Sequence, residues 1–254
     1  MSYLKLTSLK KTYPNGVTAV KDIDLEIEKG EFVVLLGPSG CGKTTTLRML
    51  AGLEEVTEGS IVLDGKDITW LPPRERGISM IFQSYAVWPH MTVAENISYP
   101  LRLRKMDKRA IASKVQEVAG ICNIVDYLDR YPAQLSGGQR QRVAVARALA
   151  VDSKLSLMDE PLSNLDAKLR VSVRTFLKEI HRKTGATTIF VTHDQAEAMA
   201  LADRIVVMNE GRIEQVGSTR AIYKECESLF TAQFMGTPPA NIQKVVLTSS
   251  QGRL

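Results

Sequence analysis

A glycine-rich segment between a predicted strand and a predicted helix constrains the fold of this chain more than any other feature. The apolar, β-favouring run Phe32–Leu36 leads into residues 37–44, which read Gly-Pro-Ser-Gly-Cys-Gly-Lys-Thr, and a helix is predicted over residues 45–53. Glycines let successive backbone N–H groups converge on one concavity, and a helix N-terminus adds partial positive charge. The order of strand, loop and helix therefore predicts a phosphate-binding loop, with a merely structural glycine turn as the alternative.

The residues of this loop are candidates for binding a nucleotide and its metal ion. Lys43 can reach the β- and γ-phosphates, and the hydroxyl group of Thr44 can ligate Mg²⁺. Cys41 is expected to act sterically rather than chemically. The nucleotide-binding candidates are Gly37, Pro38, Ser39, Gly40, Cys41, Gly42, Lys43, Thr44 and Thr45.

Composition and charge exclude several classes of protein. The chain has 254 residues, 44% of them hydrophobic, which is enough for one large domain or one domain with an insertion. The net charge of +5 comes from dispersed Lys and Arg residues without interleaved aromatics, so no nucleic-acid partner is expected. The densest basic run, residues 102–109, predicts a solvated helix end and loop, with a surface facing anionic lipid as the alternative. Three widely spaced cysteines favour a reducing compartment, and no run approaches the length of a membrane span.

The order of predicted elements indicates an α/β fold. Early strands are followed by a mainly helical region at about residues 85–150, and alternating strands and helices resume from residue 154. This alternation predicts a mainly parallel sheet with flanking helices, plus an N-terminal antiparallel β part. Early strands are predicted over residues 3–9, 17–27, 61–63 and 77–82, and later ones at 155–159, 187–192, 205–208 and 213–216; helices are predicted over 92–103, 107–121, 140–150, 167–183 and 195–202.

Two adjacent carboxylates follow a short apolar strand far downstream of the loop. Consecutive side chains of a strand point to opposite faces, so Asp159 and Glu160 are not expected to share one role. We expect Asp159 to hold Mg²⁺ through its coordination shell and Glu160 to polarise the attacking water. The alternative is a pair of solvated acids at the end of a strand.

Residues 135–139, Leu-Ser-Gly-Gly-Gln, precede a second predicted helix N-terminus. Ser136 is a candidate N-cap, and the two glycines expose N–H groups at the positive end of the helix. A nucleotide has only one triphosphate tail. A second anion site therefore indicates either two ligands or a site shared between two copies of the chain, with a simple cap and turn as the alternative.

Together these motifs resemble the ATP-binding subunit of ABC transporters, which has a P-loop NTPase core with an inserted α-helical subdomain. The resemblance covers nearly the whole chain and includes Gln83 after a strand, Ser-Asn-Leu-Asp at residues 163–166, and His193 after Phe-Val-Thr. Residues 75–77, 82–86, 93–97 and 161–170 look most like the maltose-type ATPases that energise carbohydrate import.

The resemblance also implies a division into parts. An ABC ATPase domain would cover residues 1–235, with the helical insertion at about 85–150, and a short tail would cover 236–254. Close carbohydrate-type relatives continue into a β-rich regulatory domain, whereas this sequence stops at Leu254. The expectation is either a natural short form or a shortened chain.

The resemblance implies a role for each matched residue. Tyr13 would stack on adenine, His193 would contact the γ-phosphate, and Gln83 would contact Mg²⁺ or the attacking water. The acid Asp166 would cross the seam between two copies of the chain. The implied catalytic residues are Glu160, His193 and Gln83; the implied metal ligands are Thr44, Gln83 and Asp159; and Ser136, Gly138 and Gln139 would serve the nucleotide of the opposite protomer.

The function implied by the resemblance is an ATPase motor that converts ATP and water to ADP and phosphate for import of a solute. Its partners would be a twin copy or a paralogous ATPase, integral-membrane permease subunits and, indirectly, an extracytoplasmic solute-binding protein. It would lie at the cytoplasmic face of the membrane. Carbohydrate is the first expectation for the solute, with polyamine, iron or glycerol-phosphate as alternatives.

Two other classes are disfavoured by motifs that this sequence lacks. A soluble ABC-type ATPase of DNA or ribosome function usually carries a long coiled coil or a second cassette, and the sequence shows neither. A GTPase or nucleotide kinase is disfavoured because there is no Asn-Lys-x-Asp guanine motif and because residues 135–139 are present.

Overall fold

Two β-sheets and eight α-helices make up the part of the chain that the structure, a computed structural model, describes: residues 2–236 and 238–243. Residue 237 and residues 244–254 of the predicted tail lie outside the described residues. The strands are β1 Leu4–Thr12, β2 Thr18–Ile27, β3 Phe32–Leu36, β4 Glu58–Leu63, β5 Lys66–Asp67, β6 Ile78–Ile81, β7 Leu155–Asp159, β8 Thr188–Thr192, β9 Arg204–Asn209 and β10 Arg212–Ser218.

The larger sheet has six strands in the order β10-β9-β3-β8-β7-β6. Five of them are parallel, and only β10 pairs antiparallel at the edge. All five residues of β3 and all five of β8 are buried, as expected for strands covered on both faces. Val34 pairs with Phe190, which pairs with Met158, so the centres of β3, β8 and β7 are in register. The predicted α/β class with a mainly parallel sheet is confirmed.

The smaller sheet is antiparallel, with the order β2-β1-β4-β5. Leu4, Leu6 and Leu9 of β1 point to one buried face, while the neighbouring Lys5 and Thr7 are exposed. That buried face shares a hydrophobic core with α1 and with one face of the larger sheet. The N-terminal β part therefore packs directly against the elements that carry the glycine-rich loop.

Three helices, with short turns of 3₁₀-helix between them, occupy the region that was predicted to be mainly helical. They are α2 Val93–Leu103, α3 Lys108–Ile121 and α4 Gly137–Ala150. Each begins at a side-chain cap: Thr92 for α2, Asp107 for α3 and Ser136 for α4. Their apolar faces pack together and against the larger sheet in a second hydrophobic core.

The remaining helices flank the larger sheet or follow it. They are α1 Lys43–Ala51, α5 Ala167–Thr184, α6 Gln195–Leu201, α7 Thr219–Lys224 and α8 Leu229–Phe234. Helix α1 begins and ends two residues earlier than predicted, because Gly52 adopts the left-handed conformation that terminates it. Sequence reasoning missed α7 and α8. Among the described residues, none of the helices combines the length and apolar content needed to cross a bilayer.

Candidate active site

The carboxyl ends of β3, β7 and β8 meet at one edge of the larger sheet and deliver most of the predicted site residues. The glycine-rich loop follows β3, Asp159 and Glu160 end β7, and His193 follows β8. In open α/β sheets, ligands bind at this edge. The sheet order therefore brings together residues that are far apart in the sequence.

The loop is fitted closely to its surroundings at Gly37 and Gly42. A Cβ atom at Gly37 would lie 2.2 Å from the carbonyl oxygen of Met208, and one at Gly42 would lie 2.5 Å from that of Ala19. Gly42 also has φ of 102° and forms the N-cap of α1. No L-residue with a side chain satisfies both demands at Gly42, so the loop needs glycine there.

Lys43 is buried and is held by the loop itself. Its Nζ donates hydrogen bonds of 2.8 Å to the carbonyl oxygens of Gly37 and Pro38, and lies 3.6 Å from Sγ of Cys41. Four per cent of the lysine surface is exposed, so the ammonium group has little freedom to leave the loop. Cys41 is also buried, in keeping with the steric role predicted for it.

Thr44 and Asp159 form an oxygen-rich pair at the start of α1. The Thr44 hydroxyl group donates to Oδ1 of Asp159 at 2.9 Å. Burial raises the pKa of Asp159 above its ordinary value, and the Thr44 hydrogen bond opposes this shift. A desolvated carboxylate beside a hydroxyl oxygen fits the ligand preference of Mg²⁺. Within residues 2–236 and 238–243, no group of three or more His, Cys, Asp or Glu residues is arranged to hold a metal ion.

The neighbouring acid, Glu160, points to a different partner. Its Oε2 lies 3.3 Å from Nδ1 of His193, and its backbone adopts φ of 42°. A positive φ is uncommon for a residue with a side chain and stores local strain. The turn at Glu160 separates the two acids, one facing Thr44 and the other facing His193.

A buried hydrogen bond supports the turn that carries His193. The Thr192 hydroxyl group donates to Oε2 of Glu197 at 2.6 Å, and the Asp194 carboxylate accepts from the Glu197 N–H at 3.1 Å. Burial raises the pKa of Glu197, and the Thr192 hydrogen bond opposes that shift. Sequence reasoning missed Glu197, although an acid three residues after an N-cap Asp is a capping pattern that could have revealed it.

Gln83 is placed beside residues 163–166 rather than beside Thr44 and Asp159. Its Nε2 donates to Oγ of Ser163 at 3.1 Å, and its backbone carbonyl accepts from Asn164 at 3.0 Å. Among the described residues it has no side-chain hydrogen bond to Thr44 or Asp159. Arg170, which sequence reasoning missed, donates to the carbonyl oxygens of Ser163 and Leu165 and so fixes this segment.

Tyr13 lies in the turn between β1 and β2. Its N–H bonds the carbonyl oxygen of Val17 at 2.9 Å, and its hydroxyl group donates to Glu54 at 3.5 Å. The same hairpin contributes Ala19, whose carbonyl oxygen faces Gly42 of the loop. The tyrosine is therefore carried by the hairpin that adjoins the loop.

The second predicted anion site, at the start of α4, opens elsewhere. Ser136 accepts from the Gln139 N–H at 3.3 Å, and the Gln139 side chain accepts from the Ser136 N–H at 2.8 Å. Ser136, Gly138 and Gln139 line a depression of about 330 Å³. Its other lining residues are Asn123, Tyr127, Arg142, Leu169, Ser172 and Val173, and none of the described lining residues belongs to the loop at 37–45.

The family model described as ABC transporter matches residues 20–163. The chain belongs to the ABC transporter family. This confirms the resemblance seen in the sequence. The matched span of the ABC model includes the loop, Gln83, residues 135–139 and the two acids, whereas Asp166 and His193 lie beyond it.

Two relatives from the ABC family match almost all of this chain. An sn-glycerol-3-phosphate import ATP-binding protein of Jannaschia sp. is 52% identical over 242 residues, which is 95% of this chain and 69% of that protein. A trehalose import ATP-binding protein of Mycobacterium tuberculosis is 51% identical over 249 residues, covering 98% of this chain and 63% of the relative. The chain thus spans about two thirds of the length of these relatives.

A solved ABC structure has the same fold. It is a dimeric ATP-binding cassette in a post-hydrolysis state, bound to ADP and Pi, with a TM-score of 0.74 and 33% sequence identity. The superposition covers 85% of this chain and 99% of the other. ATP binding and the P-loop NTPase fold follow from membership of the ABC family, and both agree with the site described above.

Proposed function

We propose that this chain is the ATP-hydrolysing motor subunit of an ABC importer and that two copies work together. The observation that carries this proposal is the separation of two anion-binding helix N-termini. One lies with the acids and His193 at the carboxyl edge of the sheet, and the other lines a separate depression. The loop before α1 and the start of α4 therefore do not face each other across one cavity of a single copy. Each can form half of a nucleotide pocket.

Within one copy, the loop binds and orients the triphosphate. Backbone N–H groups at residues 39–42 and the N-terminus of α1 attract the phosphate oxygens. The Lys43 ammonium group, already held at the loop, contributes a fixed positive charge. Tyr13 would stack on the adenine ring, which is worth about 1–3 kcal/mol by analogy with other base–aromatic stacking.

Thr44 and Asp159 would hold Mg²⁺, with Gln83 joining them after leaving Ser163. When bound, the ion neutralises charge that develops on the phosphate oxygens. The protein contribution is to keep two oxygen ligands 2.9 Å apart in a desolvated position. A positive ion there would also favour the ionised form of Asp159, which burial disfavours.

Glu160 and His193 would act on the attacking water. The ionised Glu160 carboxylate accepts a proton from the water, while the His193 ring, 3.3 Å from that carboxylate, orients it and faces the γ-phosphate. No covalent intermediate on the protein is needed. Catalysis in this arrangement comes from positioning and from electrostatic stabilisation of the transferred phosphoryl group.

The twin copy would complete the nucleotide pocket. Ser136, Gly138 and Gln139 of one copy would contact the nucleotide held by the loop of the other, and Asp166 would lie at the seam. The related cassette bound to ADP and Pi is a dimer, which supports this arrangement. A paralogous ATPase in place of the twin is the alternative partner.

The solute class and the membrane partner are proposed from the relatives. One relative is a trehalose import protein and another an sn-glycerol-3-phosphate import protein. Carbohydrate is our first choice, with glycerol-phosphate second. The motor would act at the cytoplasmic face of the membrane on integral-membrane permease subunits, with the region around α2 and residues 85–96 as the docking site. Co-purification with ribosomes rather than with membrane subunits would contradict this placement.

Glu160→Gln tests the proposed function most directly. The amide keeps the size of the side chain but cannot accept the proton of water, so we expect hydrolysis to fall about 10²- to 10⁴-fold. ATP and Mg²⁺ should still drive dimerisation, measured by light scattering on a sizing column. Glu179→Gln, an exposed acid on α5, is the matched control. If Glu160→Gln hydrolysed ATP at the wild-type rate, Glu160 would not be the residue that accepts the proton of the attacking water.

A further inference from the structure

The turn that carries His193 is fastened to the end of α8. Gln195, the first residue of α6, uses both polar atoms of its side chain for this contact. Its Nε2 donates to the carbonyl oxygen of Phe234, and its Oε1 accepts from the Gly236 N–H at 2.9 Å. One amide group thus satisfies a backbone acceptor and a backbone donor at a fixed spacing.

The α8 side of this contact is firmly built. Ser228 caps α8, and the rings of Phe230 and Phe234 stack with centroids 5.3 Å apart. Met235 is buried in the larger core. Gly236 has φ of 105°, and a Cβ atom there would lie 3.3 Å from the carbonyl oxygen of Pro238. The chain therefore turns sharply where it bonds Gln195.

The His193 side of the contact is held by its backbone rather than by packing. The His193 side chain is 55% exposed, so packing restrains the ring little beyond its contact with Glu160. The Thr192 and Asp194 bonds to Glu197 tie the turn to α6 itself. The Gln195 contact ties the same turn to a different part of the chain. The direction in which the ring points thus depends on both attachments.

We propose that Gln195 is a positioning residue which connects the segment at Gly236 to His193. The conformation of that segment sets how well the imidazole ring is aligned with Glu160. A displacement of Gly236 is transmitted to His193 through the side chain of Gln195 and the backbone of residues 194 and 195. This inference rests on the proposed function, because the alignment affects hydrolysis only if His193 and Glu160 act on the nucleotide.

The test uses Gln195→Leu, which preserves bulk and removes both hydrogen bonds. We expect kcat for ATP hydrolysis to fall about threefold to tenfold, in line with the loss of one or two ordinary hydrogen bonds. KM for ATP should stay unchanged, because the loop at residues 37–44 holds the nucleotide. The Gly236 amide should exchange its hydrogen at least about tenfold faster, measured by NMR on the full chain.

A second variant allows the inference to be tested even if Gln195→Leu perturbs folding. Gln195→Glu retains the acceptor for the Gly236 N–H but loses the donor to Phe234. We expect slow exchange at Gly236 and a kcat between those of the wild type and Gln195→Leu. Gln233→Leu changes an exposed glutamine of α8 and should leave both kcat and exchange at wild-type values.

Two results would overturn the inference. Unchanged hydrogen exchange of the Gly236 amide in Gln195→Leu would show that the contact with Gln195 does not protect this amide. Wild-type kcat despite faster exchange would show that the contact does not influence His193. The exchange measurement requires no hydrolysis. A wild-type chain without ATPase activity would therefore contradict the proposed function, while exchange at Gly236 would still decide whether the contact exists.

Discussion

Glycines lie at the N-termini of both α1 and α4, yet the caps and the surroundings of these two helix ends differ. At α1 the cap is Gly42 in a left-handed conformation without a side-chain cap, and the following Lys43 is buried. At α4 the cap is the exposed Ser136, paired with Gln139 in a reciprocal capping box. The first N-terminus is surrounded by the strands that carry Asp159 and His193. The second faces outward.

The glycines serve different purposes at the two helix N-termini. In the α1 loop they let the backbone curl and approach β2 and β9. At α4 they admit neighbouring side chains: a Cβ atom at Gly138 would lie 2.8 Å from Cδ1 of Leu169, and one at Gly137 would lie 3.1 Å from Cδ2 of Leu165. The α1 site thus takes its loop, its two acids and His193 from one chain, whereas the start of α4 lines a separate depression.

The largest expected effect is at the α1 site. Lys43→Ala removes the fixed charge of the loop, so we expect ATP affinity to fall about a hundredfold or more, because charge-assisted hydrogen bonds to phosphate are lost. Isothermal titration calorimetry measures the change. Lys66→Ala, an exposed lysine of β5, is the control. Wild-type affinity in Lys43→Ala would show that the two N-termini differ less than their geometry indicates.

An intermediate effect is expected at the α4 site. Gly138→Ala places a methyl group against Leu169 and displaces the start of α4. We expect hydrolysis to fall about tenfold to a hundredfold, by analogy with the loss of a positioned oxyanion donor, while ATP affinity stays at the wild-type value. Calorimetry and a steady-state ATPase assay separate the two quantities.

Gly120→Ala is the matched control for this prediction. It lies on α3, where a Cβ atom would meet no heavy atom within 4 Å, so activity should be unchanged. If Gly138→Ala weakened ATP binding by a monomeric chain as much as it weakened hydrolysis, the α4 site would belong to the nucleotide pocket of the same chain.

The smallest effect concerns the pH dependence of stability. The folded-state pKa of Asp159 is raised by burial, so its contribution to stability is complete below its ordinary pKa of 3.8 and is lost as the pH rises through the folded-state value. In a chelator and without nucleotide, we expect the Tm of the wild type to fall relative to that of Asp159→Asn over this interval. In a chain of this size, each 1 kcal/mol of lost stability lowers the Tm by about 2–4 °C.

Asp129→Asn, which changes an exposed acid, should show no such change relative to the wild type. Parallel curves of Tm against pH for the wild type and Asp159→Asn would contradict the desolvation of Asp159. Together the two acids compare a buried carboxylate of the α1 site with an exposed carboxylate.

The sequence predicted the elements whose local signals and long-range environment agree. The continuous apolar run of β3, the glycines before α1 and the helical spacing over residues 107–121 all indicated their elements, and each is present with small shifts of its ends. Helices α7 and α8 were missed because each has only six residues. Helices of that length are stabilised by tertiary packing, which periodicity does not reveal.

The site was predicted in its residues more than in its geometry. The strand-end rule led to Asp159 and Glu160, but the positive φ of Glu160 has no local signal in the sequence. The contact from Gln195 to Phe234 and Gly236 joins residues that no motif connects. Such details arise from packing between distant segments of the chain.

The order of the larger sheet has a consequence for how this protein folds. Thr44 and Asp159, which share one hydrogen bond, are separated by 115 residues, and they meet only when β3, β8 and β7 have paired. Closing such long loops is entropically costly and occurs late for non-local parallel strands. Capacity to hold a triphosphate should therefore emerge only in the final cooperative step of folding, and newly synthesised chains should stay inert toward nucleotide until β7 and β8 have joined the sheet.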